Sequence, residues 1–149
     1  MSITLTDKLS VQELEQEIFR FTRSQDTGAL GTRGPAGLRV SPVRYFLDGE
    51  NNIYIQSEGG SKFTNLEADN TVCLLVSSTF EGDCRRIKGV QFFGHGEVLA
   101  QDNSQYKTAI TLSPWPTNDN TKLIKLHCKR AVYVDRIGHE NLKQEWLPR

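Results

Sequence analysis

The chain has 149 residues, with 18 Lys and Arg against 18 Asp and Glu, and its zero formal charge lacks the electrostatic footprint of a nucleic-acid binder. No apolar run approaches the roughly 20 residues of a membrane helix, and the opening MSITLTDKLS has neither the basic nor the apolar region of a secretory signal. The length fits one domain, and Cys73, Cys84 and Cys128 are odd in number and too scattered for a zinc pattern, so a reduced, cytoplasmic setting is expected with no metal, membrane or nucleic-acid partner.

Ser10-Val11-Gln12-Glu13 is a capping box, and the helix it opens is predicted to run to about Arg23. Val11, Leu14, Ile18 and Phe21 recur at three and four residues and form the expected apolar stripe. Thr27 to Thr32 is a short, small-sided strand, and Gly34-Pro35-Ala36-Gly37 is a turn that makes a hairpin with the strand after it.

From Leu38 the chain alternates, with Leu38, Val40 and Pro42 on one face and Arg39, Ser41, Val43 and Tyr45 on the other. Asp48-Gly49 supplies a turn, and Ile53 to Ser57 is the returning strand. Next comes Glu58-Gly59-Gly60-Ser61-Lys62, a loop whose glycines let a ligand approach the backbone. Ser61 stands at the expected N-cap of a two-turn helix whose free N–H groups attract an anion. Lys62 adds a positive charge there, and Arg39 projects on the face of Ser41 with the fork that binds phosphate in a bidentate way.

Arg39-Val40-Ser41-Pro42-Val43-Arg44, the hairpin, Ile53-Tyr54-Ile55-Gln56-Ser57, then Ser61-Lys62 with Leu66, Asn70 and an apolar strand together resemble the flavin-binding core of the pyridoxamine 5′-phosphate oxidase-like, FMN-binding split-barrel superfamily, over roughly Thr27 to Asp135. The resemblance implies a mainly β fold with peripheral helices, an antiparallel split β-barrel of Greek-key type, as a homodimer with two FMN sites at its interface. It implies that Arg39, Ser61 and Lys62 hold the FMN phosphate, while Val40, Ser41, Gln56 and Ser57 line the flavin. Two departures argue against oxidation of pyridoxamine phosphate itself. Ser61 stands where such proteins carry arginine, and Arg136-Ile137-Gly138-His139 has the wrong spacing for their C-terminal Arg-x-His clamp.

Farther along, Thr71 to Val76 reads as a strand covered on both faces, with Cys73 in the core. Ser77 to Lys88 is a polar connection in which Cys84 adjoins Arg85 and Arg86. Gly89 to Leu99 is a long strand whose Gly94 and Gly96 mark a bulge or bend, and Gln91 is a candidate flavin ligand by resemblance. His95 is expected to be a surface or packing residue, although haem-handling branches of the superfamily make haem ligation an alternative. Gln101 to Leu112 is helical, and Trp115, stiffened by Pro114 and Pro116, suits either a cover for the isoalloxazine or a subunit interface. In Leu123 to Asp135, Ile124, Leu126, Cys128, Val132 and Val134 are expected to face in, and Lys125, His127, Lys129 and Tyr133 out. Residues 136–149 are expected to form a tail whose Trp146 docks on the body of the protein or on its partner.

The functional expectation is an FMN-dependent oxidoreductase acting on a small molecule. A non-catalytic FMN or haem binder and an F420-dependent reductase are the alternatives.

Overall fold

The computed structural model describes residues 8 to 149, and residues 1–7 of the expected N-terminal segment lie outside the described residues. Helix α1, Val11–Ser24, starts on the predicted capping box: the Ser10 hydroxyl accepts from the Glu13 N–H and the Glu13 carboxylate accepts from the Ser10 N–H. Its buried stripe is Leu14, Ile18, Phe19, Phe21 and Thr22, whereas Val11, expected in that stripe, is 57% exposed.

Seven antiparallel strands follow: β1 Thr27–Thr32, β2 Arg39–Leu47, β3 Ile53–Ser57, β4 Thr71–Ser77, β5 Lys88–Leu99, β6 Lys122–Asp135 and β7 Leu142–Trp146. Their order is β3-β2-β1-β4-β5-β6-β7, and a further pairing of β3 with β6 closes the first six into a barrel. Three hairpin-linked strands with a fourth returning beside the first make the run β4-β1-β2-β3 a Greek key. Inward-facing Leu30, Val43, Tyr45, Ile55, Leu74, Phe92, Ile124 and Tyr133 fill the barrel with the apolar face of α1.

The two barrel ends are closed differently. The end where β1 begins receives α1, whose Thr22 carbonyl accepts from the buried Tyr45 hydroxyl at 2.6 Å. The opposite end receives α2, Ser61–Ala68, which connects β3 to β4. Helix α3, Ser104–Ala109, and a 3-10 turn over Ile110–Leu112 lie on the outer wall, where Phe46, Tyr54, Leu99, Tyr106, Ala109 and Leu123 form a second core.

Several sequence readings are corrected here. Strand β4 is covered on one face only: Val72, Leu74 and Val76 are buried, but Leu75 is 39% exposed and Cys73 half-buried on the outer side. In β6, Phe93 pairs with Arg130 and Gly94 with Cys128, so Lys129 is an extra residue. One extra residue exchanges the two faces of the rest of the strand, so Ala131 and Tyr133 point in while Val132 and Val134 turn outward. Gly94 permits the bulge, since a Cβ there would sit 1.9 Å from the His127 carbonyl oxygen. The tail contains β7, paired with β6 from Ala131↔Trp146 to Asp135↔Leu142, and Trp146 packs edge-on against Phe19 at 5.4 Å.

Candidate functional site

The β2 alternation assigns its residues to two places. Arg39 and Ser41 share the inward parity of Val43 and Tyr45 and so stand at the barrel end that α2 plugs, whereas Val40, Pro42 and Arg44 face the outer wall. The same holds on β3, where Ser57 follows Ile53 and Ile55 inward and Gln56 faces out.

At the plugged end, α2 begins differently from the sequence expectation. The N-cap is Gly60, not Ser61, because Gly60 adopts φ 108°, a conformation natural to glycine, and Ser61 becomes the first helical residue. Among the described residues no side chain caps this N-terminus; its Phe63 N–H donates to the Gly60 carbonyl at 3.2 Å, and the Ser61 and Lys62 N–H groups ahead of that bond are the ones placed to attract an anion. The Lys62 ammonium donates to the Gly59 carbonyl at 2.8 Å, and burial lowers its pKa from the ordinary lysine value.

Arg39 is drawn to the same corner. Its Nε donates to the Ala36 carbonyl at 2.9 Å, inside the turn closed by the 2.8 Å bond from Gly37 N–H to the Gly34 carbonyl. Asn65 of α2, fully buried, locks that turn: its side-chain oxygen accepts from Ala36 N–H, and its amide donates to the Gly37 carbonyl and the Thr32 hydroxyl. Gly34 passes so close that a Cβ would lie 2.9 Å from the Asn65 oxygen. The structure therefore ties Arg39 and the start of α2 together through a buried amide that sequence reasoning did not single out.

On the outer wall, Pro42, Val43, Arg44, Gln56, Ser57, Glu58, Trp115 and Pro116 line a cavity of about 430 Å³. Trp115 is held over it: the Gln56 amide donates to the Pro116 carbonyl at 3.0 Å, the Ser113 hydroxyl donates to the Gln56 side-chain oxygen, and Trp115 N–H donates to the Ser113 hydroxyl at 3.0 Å. The Arg44 guanidinium lies 4.5 Å from the Trp115 ring centroid, and the indole N–H is buried without a partner. Two of its lining residues, Ser57 and Glu58, run directly into Gly59-Gly60 before α2. Of the expected flavin-lining residues, Gln56, Ser57 and Trp115 meet in this cavity. Val40, 71% exposed, and Gln91, opposite Leu75, lie on the open outer sheet.

The other groups singled out in the sequence fall elsewhere. His95 stacks on His127 at 4.7 Å, and His127 contacts Glu97 at 2.9 Å. Cys84 is exposed; Cys73 and Cys128 are half-buried, and burial raises both thiols, Cys128 to about 11. Arg136 donates to Asn141, while His139 contacts Glu17 at 3.2 Å beside the buried Asp135, a network between α1 and the β6–β7 turn. Among the described residues no helix is long and apolar enough to cross a membrane.

A six-stranded antiparallel barrel, with a short helix at one end meeting a cation-bearing hairpin, defines the split-barrel class. The family model for pyridoxamine 5′-phosphate oxidase matches residues 14–135, and the chain belongs to that family, the match taking in α1 from Leu14 onward. No curated protein matches. Among solved structures, General Stress Protein 26 from Bacillus anthracis is 19% identical with a TM-score of 0.62, over 89% of this chain and 99% of that one. A conserved hypothetical protein, Rv2991 from Mycobacterium tuberculosis, is 20% identical with a TM-score of 0.63, over 86% and 88%. A heme binding protein from Mycobacterium smegmatis is 18% identical with a TM-score of 0.70, over 95% of this chain but 60% of that one. At these identities the likeness concerns the fold.

Proposed function

We propose that this chain is an FMN-binding oxidoreductase that acts on a small molecule other than pyridoxamine phosphate. The observation that carries the reading is the buried Asn65 that bonds α2 to the turn on which Arg39 also rests, at a helix whose start carries Lys62 and no side-chain cap, with Ser57 and Glu58 of the Trp115 cavity just before it in the chain. Three features fit the cofactor: cationic donors beside free N–H groups, a cavity in the size range of cofactor sites, and a buried indole N–H with no protein acceptor. Arg39, Ser61 and Lys62 would hold the phosphate, and Ser41, Gln56, Ser57 and Trp115 the rest, with Val40 and Gln91 contributing from the open sheet.

The flavin would supply the redox chemistry, and the chain's residues position it and exclude water. Arg136 and His139 are engaged with Asn141 and Glu17, which favours a substrate other than the vitamin phosphate. We also propose a homodimer, supported by Leu38, Val40 and Leu75, at 83%, 71% and 39% exposure, on the wall beside the cavity. Three free cysteines support a reducing, cytoplasmic setting. The haem alternative would call on His95, which is not among the cavity's lining residues.

The test is the absorption spectrum of the purified protein, followed by FMN titration. Arg39→Ala and Lys62→Ala should each weaken FMN binding by about 1.5 to 3 kcal/mol, the worth of a charge-assisted bond. Unchanged affinity in both refutes the phosphate assignment. Turnover with reduced nicotinamide and an electron acceptor separates an enzyme from a binder.

A further inference from the structure

The expectation of no metal rested on cysteine spacing, which carries no information about ligands that only the fold brings together. Among the described residues, Glu17 of α1, Asp135 at the end of β6 and His139 in the β6–β7 turn bring their ligand atoms within 4.8 Å of one another. The His139 Nε2 lies 3.2 and 3.3 Å from the two Glu17 oxygens and 3.9 Å from Asp135 Oδ2. These spacings exceed the roughly 2.7 to 2.9 Å of a charge-assisted hydrogen bond. They bracket instead the edge of a coordination polyhedron, since donors about 2.0 to 2.2 Å from a tetrahedral zinc ion stand about 3.3 to 3.6 Å apart.

Asp135 is held for such a role. Only 1% exposed, it gives Oδ1 to the Ile137 and Gly138 N–H groups at 2.9 and 2.8 Å, which fixes the carboxylate and leaves Oδ2 toward His139. Gly138 keeps that side open, because a Cβ there would lie 3.0 Å from Oδ2. A second observation comes from Tyr133, two residues earlier on β6. Tyr133 is fully buried, and its hydroxyl has no hydrogen-bond partner among the described residues. It faces the cluster, for burial first, and then Asp135 and Glu17, push its pKa up. An unpaired buried hydroxyl is costly, and a bound ion or its water satisfies it. Charge points the same way. Against the two carboxylates stand Lys88, 3.6 Å from Asp135 Oδ2, and Arg20, which reaches Glu17 only at 4.0 Å from a side chain largely in solvent.

We propose that Glu17, Asp135 and His139 form a binding site for a divalent metal of the zinc type, with the Tyr133 hydroxyl at its open side. One imidazole nitrogen with two carboxylate oxygens suits zinc, whereas magnesium and calcium take oxygen ligands. The ion staples α1 to the β6–β7 turn, so its role is structural. None of the four residues lines the cavity under Trp115, and the site stands apart from the flavin reading.

The test is calorimetric titration of the metal-stripped, untagged chain with Zn²⁺ and with Mg²⁺, alongside thermal unfolding and the visible spectrum with Co²⁺. Zn²⁺ at about a hundredfold excess over its Kd should raise the Tm by roughly 5 to 10 °C, and Mg²⁺ should not. Glu17→Gln and His139→Gln, both at partly exposed positions, should each weaken Zn²⁺ binding by about a hundredfold or more, and Tyr133→Phe by about tenfold. His127→Gln, in the separate His95 stack, should change nothing. Bound cobalt should show d–d bands without a sulfur charge-transfer band. A plain ion-pair network, needing no metal, predicts neither heat nor a Tm shift with Zn²⁺, and that result overturns the site. So does wild-type affinity in any of the three ligand-side variants, or a sulfur charge-transfer band that assigns the metal to a cysteine.

Discussion

Asn65 shows how one side chain can join two elements of a candidate site. It is fully buried and makes three hydrogen bonds, two to the Gly34–Gly37 turn and one to Thr32, which bond α2 to the turn leading into the strand that bears Arg39. Asn65→Ala leaves those backbone groups unsatisfied and should cost about 2 to 4 kcal/mol in chemical denaturation, with a parallel loss of FMN affinity. Stability within 0.5 kcal/mol of wild type, a surface-like value, would show that the turn holds itself. The glycine loop carrying Lys62 and the hairpin carrying Arg39 were legible because their residues are local in sequence. Asn65 was not, since an asparagine inside a helix carries no signal of a partner on a distant turn. Ser61 was misjudged as the cap because either Gly60 or Ser61 satisfies the local pattern, and only the backbone angle separates them.

The β2–β3 hairpin illustrates an element whose ends and Asp48-centred turn were readable and whose left-handed residue was not. The residue with positive φ is Asn51, at 64°, and Asp48 organises the loop by accepting from the Glu50 and Asn52 N–H groups and the Asn52 amide. Burial alone would raise the Asp48 carboxyl, but these bonds, with help from Tyr54, hold it below the usual range. A depressed folded pKa stabilises above the unfolded value of about 3.9, and that contribution is lost as pH falls through the folded one. Asp48→Asn should therefore lie further below wild type at pH 7 than at pH 3, whereas equal gaps would remove Asp48 from the acid limb. Strand β7 makes a second case. Trp146 is buried against Phe19, so Trp146→Ala should cost about 3 to 5 kcal/mol in the same denaturation assay. Its strand was missed because LKQEW is polar and short, and gains β structure only by pairing with β6.

For the molecule as a whole, the outer wall of β2, β1 and β4 carries Val40, Ala29, Leu75 and Cys73 without a covering helix. If this wall is the dimer face, Val40→Asp with Leu75→Asp should halve the mass measured by light scattering and reduce FMN retention together. A dimer that persists would move the interface elsewhere.

Alternation, turn residues and the capping box were enough to locate α1, six of the seven strands and the cationic loop, because each depends on neighbours within a few residues. Barrel closure through β3–β6, the face exchange at Lys129 and the approach of Lys122 to the Phe63 ring depended on elements far apart in the chain. Such contacts leave no periodic trace in the residues that make them, and they emerge only when the register of each strand is set by its partner.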